Sequence, residues 1–600
     1  MSPHEGKTEN SMHRVGENEG RPRRDPLLMI QVLLAALLAF CVYRGYFEAS
    51  AATIAGALLL LVWQIRPKWF EAAIRGFEHL ARRRFLPVAL VVIVSFTVAF
   101  GLSLTRGIPQ PAINDEFSYL LAADTFLHGR LANPTHPMWI HLETLQVIFQ
   151  PTYASKYPPA QGLVLAAGTL IGGRAIVGVW LSTAIACGLI CWCSMAWLGR
   201  RWGFLGGLLA AIHPLVLEWS QNYWGGAVAM GGGALLLGAF RRLARRPNAR
   251  DAWLMGAGMA MVAFSRPYEG AVLSVLSLAA LLFLTLRGKR ISPGTLLRSV
   301  GFPVIVAGGL IVTGWAYFNL RVTGNPLEMP VILHEKTYAI TKPFVWQAPY
   351  PEPTYRHPSI RNTEAMWMLP VYLAQRRSFA GFYSASIDKL ALYSNAAFQG
   401  YGIVVLLALF LARRDWFLRL TLAILMVFSV VLLAATWSQP HYAAPIAAIV
   451  IALSLKTLKR LNRYTAAGLP IGRTLVRVCL TLFVASMVTT VLEQKPIGAN
   501  AWSLERARIQ AALQQQPGKH LVLVRYTDHN FPEEWIHNDA DIDAAKVVWA
   551  HDMGREENRE LLEYFKDRAI WLLEPDTRKP RKPDVVPYPE EVAIKVPPTD

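Results

Sequence analysis

Apolar residues in this chain do not alternate with polar ones; they gather into long runs separated by short stretches rich in Arg and Lys. The runs lie at 26–43, 50–64, 86–105, 175–197, 203–217, 224–240, 252–265, 270–286, 300–320, 399–412, 417–435, 441–456 and 474–492. Several are close to the ~17 residues that a helix needs to cross a bilayer. The pattern predicts a mainly α, polytopic membrane protein of about 13 transmembrane helices. Residues 160–173 are apolar but too few to cross alone, and predict a half-helix that returns to the face it left.

The basic clusters set the orientation. One set of connections holds Arg66, Lys68, Arg75 and Arg82–Arg84, then Arg200–Arg201, Arg241–Arg246, Arg287–Arg290, Arg413–Arg414 and Lys456–Arg463. By the positive-inside rule that set is cytoplasmic. The other set, including the long loops 106–174 and 321–398, then faces outward, with the N-terminus inside and the C-terminus outside. A net charge of +19 would otherwise suggest a nucleic-acid partner, but the cations form no continuous surface and no nucleic-acid motif. The expected location is the inner (cytoplasmic) membrane. Composition is 53% apolar, and all five cysteines fall in apolar runs, so disulfides and thiolate metal sites are not expected.

Four regions follow from the pattern: a disordered cytoplasmic segment 1–25, two leading spans with a basic linker over 26–85, a membrane body 86–493, and a soluble tail 494–600. The tail predicts a small external α/β domain, with strands at 520–526, 546–550 and 569–573 and a helix at 556–565. Its 539-DADID-543 opens like a calcium loop, but Ala544 stands where the turn glycine belongs and Ala550 where the closing glutamate belongs. A solvated acidic turn is expected there.

Candidate chemistry collects on the predicted outer face. In 112-AINDEFSYLLAADTFLHGRL-131, Asp115 and Glu116 open a helix expected over 116–128, with Asn114 or Asp115 as its N-cap. The same loop carries 155-SKYPPAQG-162, placing Lys156 and Tyr157 ahead of a rigid Pro pair. Short turns on that face add Glu218 and Asn222, then Arg266, Tyr268 and Glu269, and finally His441 and Tyr442. Ionisable groups are costly near lipid unless paired or lining a wet site, so these residues predict an interfacial cavity. A carboxylate that can deprotonate a hydroxyl, ringed by cations, suits group transfer from a lipid phosphate.

The DE pair in the first long external loop, the Lys-Tyr-Pro-Pro element before the next membrane helix, the alternating cytoplasmic loops and the external tail resemble the GT-C superfamily of integral-membrane glycosyltransferases. The resemblance is to its protein O-mannosyltransferase and lipid A aminoarabinose transferase type, in the bacterial branch, and covers about 86–456. It implies a polyprenyl-phosphate-linked sugar as donor, an acceptor of unspecified kind, and inversion at the anomeric carbon. It also implies Asp115 as general base, Glu116 as its orienting partner and Lys156 as a phosphate ligand. Arg266 and His441 join the phosphate site from topology alone, and Tyr157, Glu218, Asn222, Tyr268, Glu269 and Tyr442 are cavity candidates. No cofactor or metal is assigned. The competing reading is a transporter or flippase of lipid-linked glycans, which predicts charges at the membrane midplane and a repeat relating two halves. The loop 321–398, rich in Pro and aromatics, is expected to close over the site and, with the tail, to select the acceptor.

Overall fold

The computed structural model describes residues 68–288, 292–398, 415–465, 470–493, 501–526, 533–576 and 584–589. The runs expected at 26–43, 50–64 and 399–412, and the segment 1–25, lie outside them. The chain divides into two compact units. In the first, 1–71 with 461–492, the helix Ile471–Glu493 dominates the described part. The second, 72–460 with 493–600, holds everything discussed below.

Its helices are Leu86–Arg106, Asn114–Leu127, Pro159–Gly172, Ala175–Leu198, Arg200–Ala211, Ala227–Leu243, Ala249–Ala263, Pro267–Gly288, Phe302–Thr323, Phe379–Phe398 and Trp416–Ala434, with shorter pieces between. Among the described residues, five helical stretches are long and apolar enough to cross a membrane. Two of them show what surrounds the bundle. On the helix Phe302–Thr323, Ile305, Leu310 and Val312 are 67%, 66% and 69% exposed, and on Leu86–Arg106 so is Leu104 at 70%. Such rows of bare aliphatic side chains fit lipid and not water. The chain is a multi-pass membrane protein. Ala175–Leu198 and Ala227–Leu243 are instead buried at the centre, and contribute Cys187, Ile190, Met230 and Phe240 to the main core.

One expected span divides. Where a single run was expected over 203–217, the structure has Arg200–Ala211 followed by a separate short helix, Pro214–Trp219. Pro214 has no N–H to give and holds His213 extended, so the helix cannot run through. Twelve residues fall short of a bilayer crossing. Within the stretch expected to be loop, Phe379–Phe398 is a 20-residue helix.

Three short strands build the platform on which the site stands: β1 (Asn133–Pro134), β2 (Val147–Ile148) and β3 (Thr152–Ser155), antiparallel in the order β1-β3-β2. The C-terminal residues form a second sheet in the order β5-β4-β6-β7, from β4 (Lys519–Val524), β5 (Val547–His551), β6 (Arg568–Leu573) and β7 (Val586–Pro587). β4 runs parallel to both its neighbours, and the helix Asn558–Tyr564 supplies the crossover to β6. The 539–543 segment is a braced turn: Asp541 accepts from the Ala544 N–H, and Asp543 engages His136 and the Tyr564 hydroxyl.

This sheet is clasped to the first long loop. His551 Nε2 donates to the Glu143 carbonyl at 2.8 Å, the Ala540 N–H to Asp124 at 2.7 Å, and the Tyr153 hydroxyl to the Asn538 carbonyl at 3.0 Å. The His537 ring stacks on Phe117 at 3.9 Å.

Candidate active site

The helix Asn114–Leu127 begins differently from the expectation, and the difference separates the two acids. Its N-cap is Ile113, extended and without a side-chain cap bond, so neither Asn114 nor Asp115 caps the helix. Glu116, at the third helical position, reaches back instead. Its Oε2 accepts the Ala112 N–H at 2.7 Å and its carboxylate also receives the Ile113 N–H, which is the acidic half of a capping box. Its Oε1 accepts the Tyr223 N–H at 2.8 Å, tying in the turn before the helix Ala227–Leu243. Glu116 is buried, and burial pushes its carboxyl up to about 7 despite these bonds.

Asp115, relieved of capping, is partly exposed and turned to a different company. The Tyr157 hydroxyl donates to its carboxylate, and the cations of Lys156 and Arg266 act on it. Burial raises the Asp115 pKa above the ordinary aspartate value, while Lys156, the Tyr157 bond and Arg266 all pull it down. One helical turn on, Tyr119 stacks its ring on Tyr157 at 4.5 Å, and Lys156 Nζ lies 5.4 Å from the Tyr157 ring centre.

Local bonds hold these groups together. Ser118, on the same helix, shares a 2.7 Å hydrogen bond with Ser155 and donates to the Gln146 carbonyl, which pins the end of β3 and so the start of Lys156. Pro158 and Pro159 then fix the entry to the helix Pro159–Gly172. Gly162 lets that helix pack against Asn114–Leu127: a Cβ there would meet the Ala122 Cβ at 2.8 Å and Phe126 at 2.9 Å. The Ala160 N–H donates to the Phe264 carbonyl at 3.0 Å, drawing in the turn that bears Arg266.

Arg266 is held from two sides. Its guanidinium sits 3.9 Å from the Tyr442 ring centre and hydrogen-bonds that residue, while the buried carboxylate of Glu269 faces it. His441, buried beside Arg266, packs its ring 4.7 Å from Trp224, and its Nδ1 has no partner. The turn that carries it approaches Gly233 so closely that a Cβ there would lie 1.9 Å from the Pro445 carbonyl oxygen. Asn222 donates to the Glu218 carbonyl at 3.0 Å and leaves its buried Oδ1 unpaired.

Two candidates stand apart. Glu218 is exposed and has no ion-pair partner among the described residues. Tyr268 points its hydroxyl at the Val431 carbonyl, 3.4 Å away, and its ring edge at Phe344.

The structure adds residues absent from the sequence argument. Glu335 and Glu364 lie within the field of Lys156, each with one buried oxygen unpaired, and burial raises both, Glu364 to about 7. Tyr119 could have been found, because it follows Asp115 by four residues on a helix. Among the described residues no group of three or more His, Cys, Asp or Glu is arranged to hold a metal ion.

A carboxylate beside two cations at the end of an apolar helix bundle suits transfer chemistry on an amphipathic phosphate. This chain is distantly similar to several solved structures. They include ArnT from Cupriavidus metallidurans in the apo state, with 13% identity and a TM-score of 0.48 over 82% of this chain and 93% of that one. The same enzyme bound to undecaprenyl phosphate gives a TM-score of 0.44 over the same shares at 13% identity. The oligosaccharyltransferase AglB from Archaeoglobus fulgidus, in complex with an inhibitory peptide and a dolichol-phosphate, gives 0.40 at 11% identity over 81% of this chain and 69% of that one. No family model and no curated protein matches the sequence.

Proposed function

We propose that this protein is an inverting glycosyltransferase that moves a sugar from a polyprenyl-phosphate carrier to an acceptor hydroxyl at the outer surface of the cytoplasmic membrane. The observation that carries the reading is the Asp115 carboxylate, free of capping duty and set against Lys156, Arg266 and the Tyr157 hydroxyl. Asp115 takes the proton of the acceptor hydroxyl as that oxygen bonds to the anomeric carbon. The bond from that carbon to the phosphate oxygen breaks on the opposite face and leaves polyprenyl phosphate, whose new charge Lys156 and Arg266 offset. Inversion follows from attack opposite the leaving group.

Glu116 does not meet the reactants in this scheme. With Ala112, Ile113 and Tyr223 on its oxygens it positions the helix that aims Asp115. His441 and Tyr442 serve Arg266, one by packing and one by direct contact.

The test is mass spectrometry of polyprenyl-linked sugars in a deletion strain complemented with either the wild-type chain or Asp115→Asn. Accumulation of one lipid-linked sugar with Asp115→Asn, and its disappearance with wild type, is expected. Equal pools in the two strains would refute the assignment, and carrier translocation without a new glycosidic bond would favour a flippase.

A further inference from the structure

A second cavity, of about 620 Å³, opens between the first long loop and the helix Pro330–Tyr338. That volume lies within the ~300–1,000 Å³ of small-molecule pockets. Its walls include Trp139, Glu143, Phe149, His334, Tyr338 and Arg356. None of these was a candidate in the sequence, and none is used in the transfer step above.

The lining has a definite chemistry. Its one acid and one strong base are matched: Glu143 accepts the Tyr338 hydroxyl at 2.8 Å and faces Arg356 at 3.5 Å. The cavity is therefore close to neutral, unlike the surroundings of Lys156 and Arg266, and does not select a phosphate or an ammonium group. Arg356 lies 4.7 Å from the centre of the Trp139 ring and holds it in place. Aromatic faces and fixed polar atoms thus share the walls. His334 lines the cavity at 4% exposure, with its Nδ1 buried and unpaired among the described residues. Burial and the nearby Lys156 hold its imidazole neutral, so the ring adds no charge to the wall. His334 also joins the two places, since it stands within the field of Lys156 while lining the cavity.

We propose that this cavity binds the acceptor and that the acceptor is a neutral glycan. One face of a sugar ring is lined by C–H bonds and packs on aromatic rings such as Trp139 and Tyr338, while its hydroxyls pair with the Arg356 guanidinium, which is 46% exposed. The inference rests on the glycosyltransferase reading for its term "acceptor", but the binding site itself can be tested without it.

The experiment uses the full chain in detergent and saturation-transfer NMR with trisaccharides of mannose, glucose, galactose and arabinose, beside a Ser/Thr-containing hexapeptide. Saturation of at least one sugar series is expected. The signal should fall by about tenfold or more in Trp139→Ala and in Thr337→Trp, and persist in Lys566→Ala, which changes an exposed residue of the tail. Thr337 is exposed at the cavity wall, so its replacement narrows the space without disturbing a packed core. Saturation of no sugar, or of the peptide alone, would overturn the proposal, as would a sugar signal that survives Thr337→Trp or vanishes in Lys566→Ala. Native mass spectrometry with undecaprenyl phosphate on the wild-type chain and Lys156→Ala tests the donor site separately. Loss of that lipid in Lys156→Ala supports the donor reading whether or not sugar binds, and failure of the wild-type chain to bind it refutes that reading alone.

Discussion

Asp115 and Glu116 are adjacent acids to which the structure gives opposite surroundings, so replacing each by its amide should produce opposite phenotypes. In Glu116→Gln one carboxylate oxygen becomes an NH2 group, which then faces either the Ala112 or the Tyr223 N–H, now 2.7 and 2.8 Å from an acceptor. One buried donor loses its partner, at about 1–3 kcal/mol. At roughly 1 °C per kcal/mol for a body of this size, from about 2.1 cal/mol/K of unfolding entropy per residue, the midpoint of thermal unfolding should fall by about 1–3 °C. Turnover of the folded fraction should fall by less than about tenfold, because an orienting residue is lost and no proton acceptor is removed. In Asp115→Asn every backbone bond of the helix start survives and a carboxylate that burial disfavours is made neutral, so the midpoint should hold or rise, while loss of the base lowers turnover by about 100- to 10,000-fold. The assay is transfer from a lipid-linked donor in nanodiscs at pH 8, where Glu116 is ionised, with unfolding followed on the same preparations. Glu116→Gln that destroys turnover at an unchanged midpoint would refute the division of roles, as would Asp115→Asn that keeps turnover.

Three further outcomes follow from named contacts. The Asp115 pKa is raised by burial and restrained by Lys156 and the Tyr157 hydroxyl, and a base works only when deprotonated. The acid limb of kcat should therefore lie above the ordinary aspartate range and move to still higher pH in Tyr157→Phe, which a pH profile measures. By the same sign, the stability contribution of Asp115 is greatest below its unfolded value and declines as pH rises through the folded one. Gly162→Ala puts a Cβ 2.8 Å from the Ala122 Cβ, and should cost about 1–3 kcal/mol by driving apart the helices that carry Asp115 and follow Lys156; denaturation and turnover should both report it. Asp124→Ala removes the acceptor of the Ala540 N–H and should make the C-terminal sheet easier to cleave in limited proteolysis, with no direct effect on the carboxylate chemistry.

Hydropathy made the helices visible because long apolar runs have no other stable use, and the strands of the tail were visible because β4, β5 and β6 are apolar and β-branched. A short helix was expected at 160–173 and occurs at Pro159–Gly172, because the Pro pair and Gly173, which is left-handed, mark its ends. The capping of the 114–127 helix was misjudged, because local rules favour Asn114 and Asp115 as caps. The bond from Tyr223, 107 residues away, that helps commit Glu116 has no local signature. Pro214 was legible as a break, yet the apolar count around it prevailed. Glu335, Glu364 and His334 escaped notice because the short helices that carry them, Pro330–Tyr338 and Asn362–Met368, have no clear apolar period in sequence, so nothing local indicates that they lie near Lys156.

The clasp between the tail and the first loop also bears on how the molecule is made. Asp124 and Ala540 are 416 residues apart, roughly 20–80 s of synthesis at about 5–20 residues per second. During that interval the helix bearing Asp115 has no His537 ring against Phe117 and no Ala540 N–H on Asp124. A nascent chain thus carries Asp115, Lys156 and Arg266 well before the contacts that brace their helix exist, and a ribosome that stops early releases a chain with these residues present but the clasp missing.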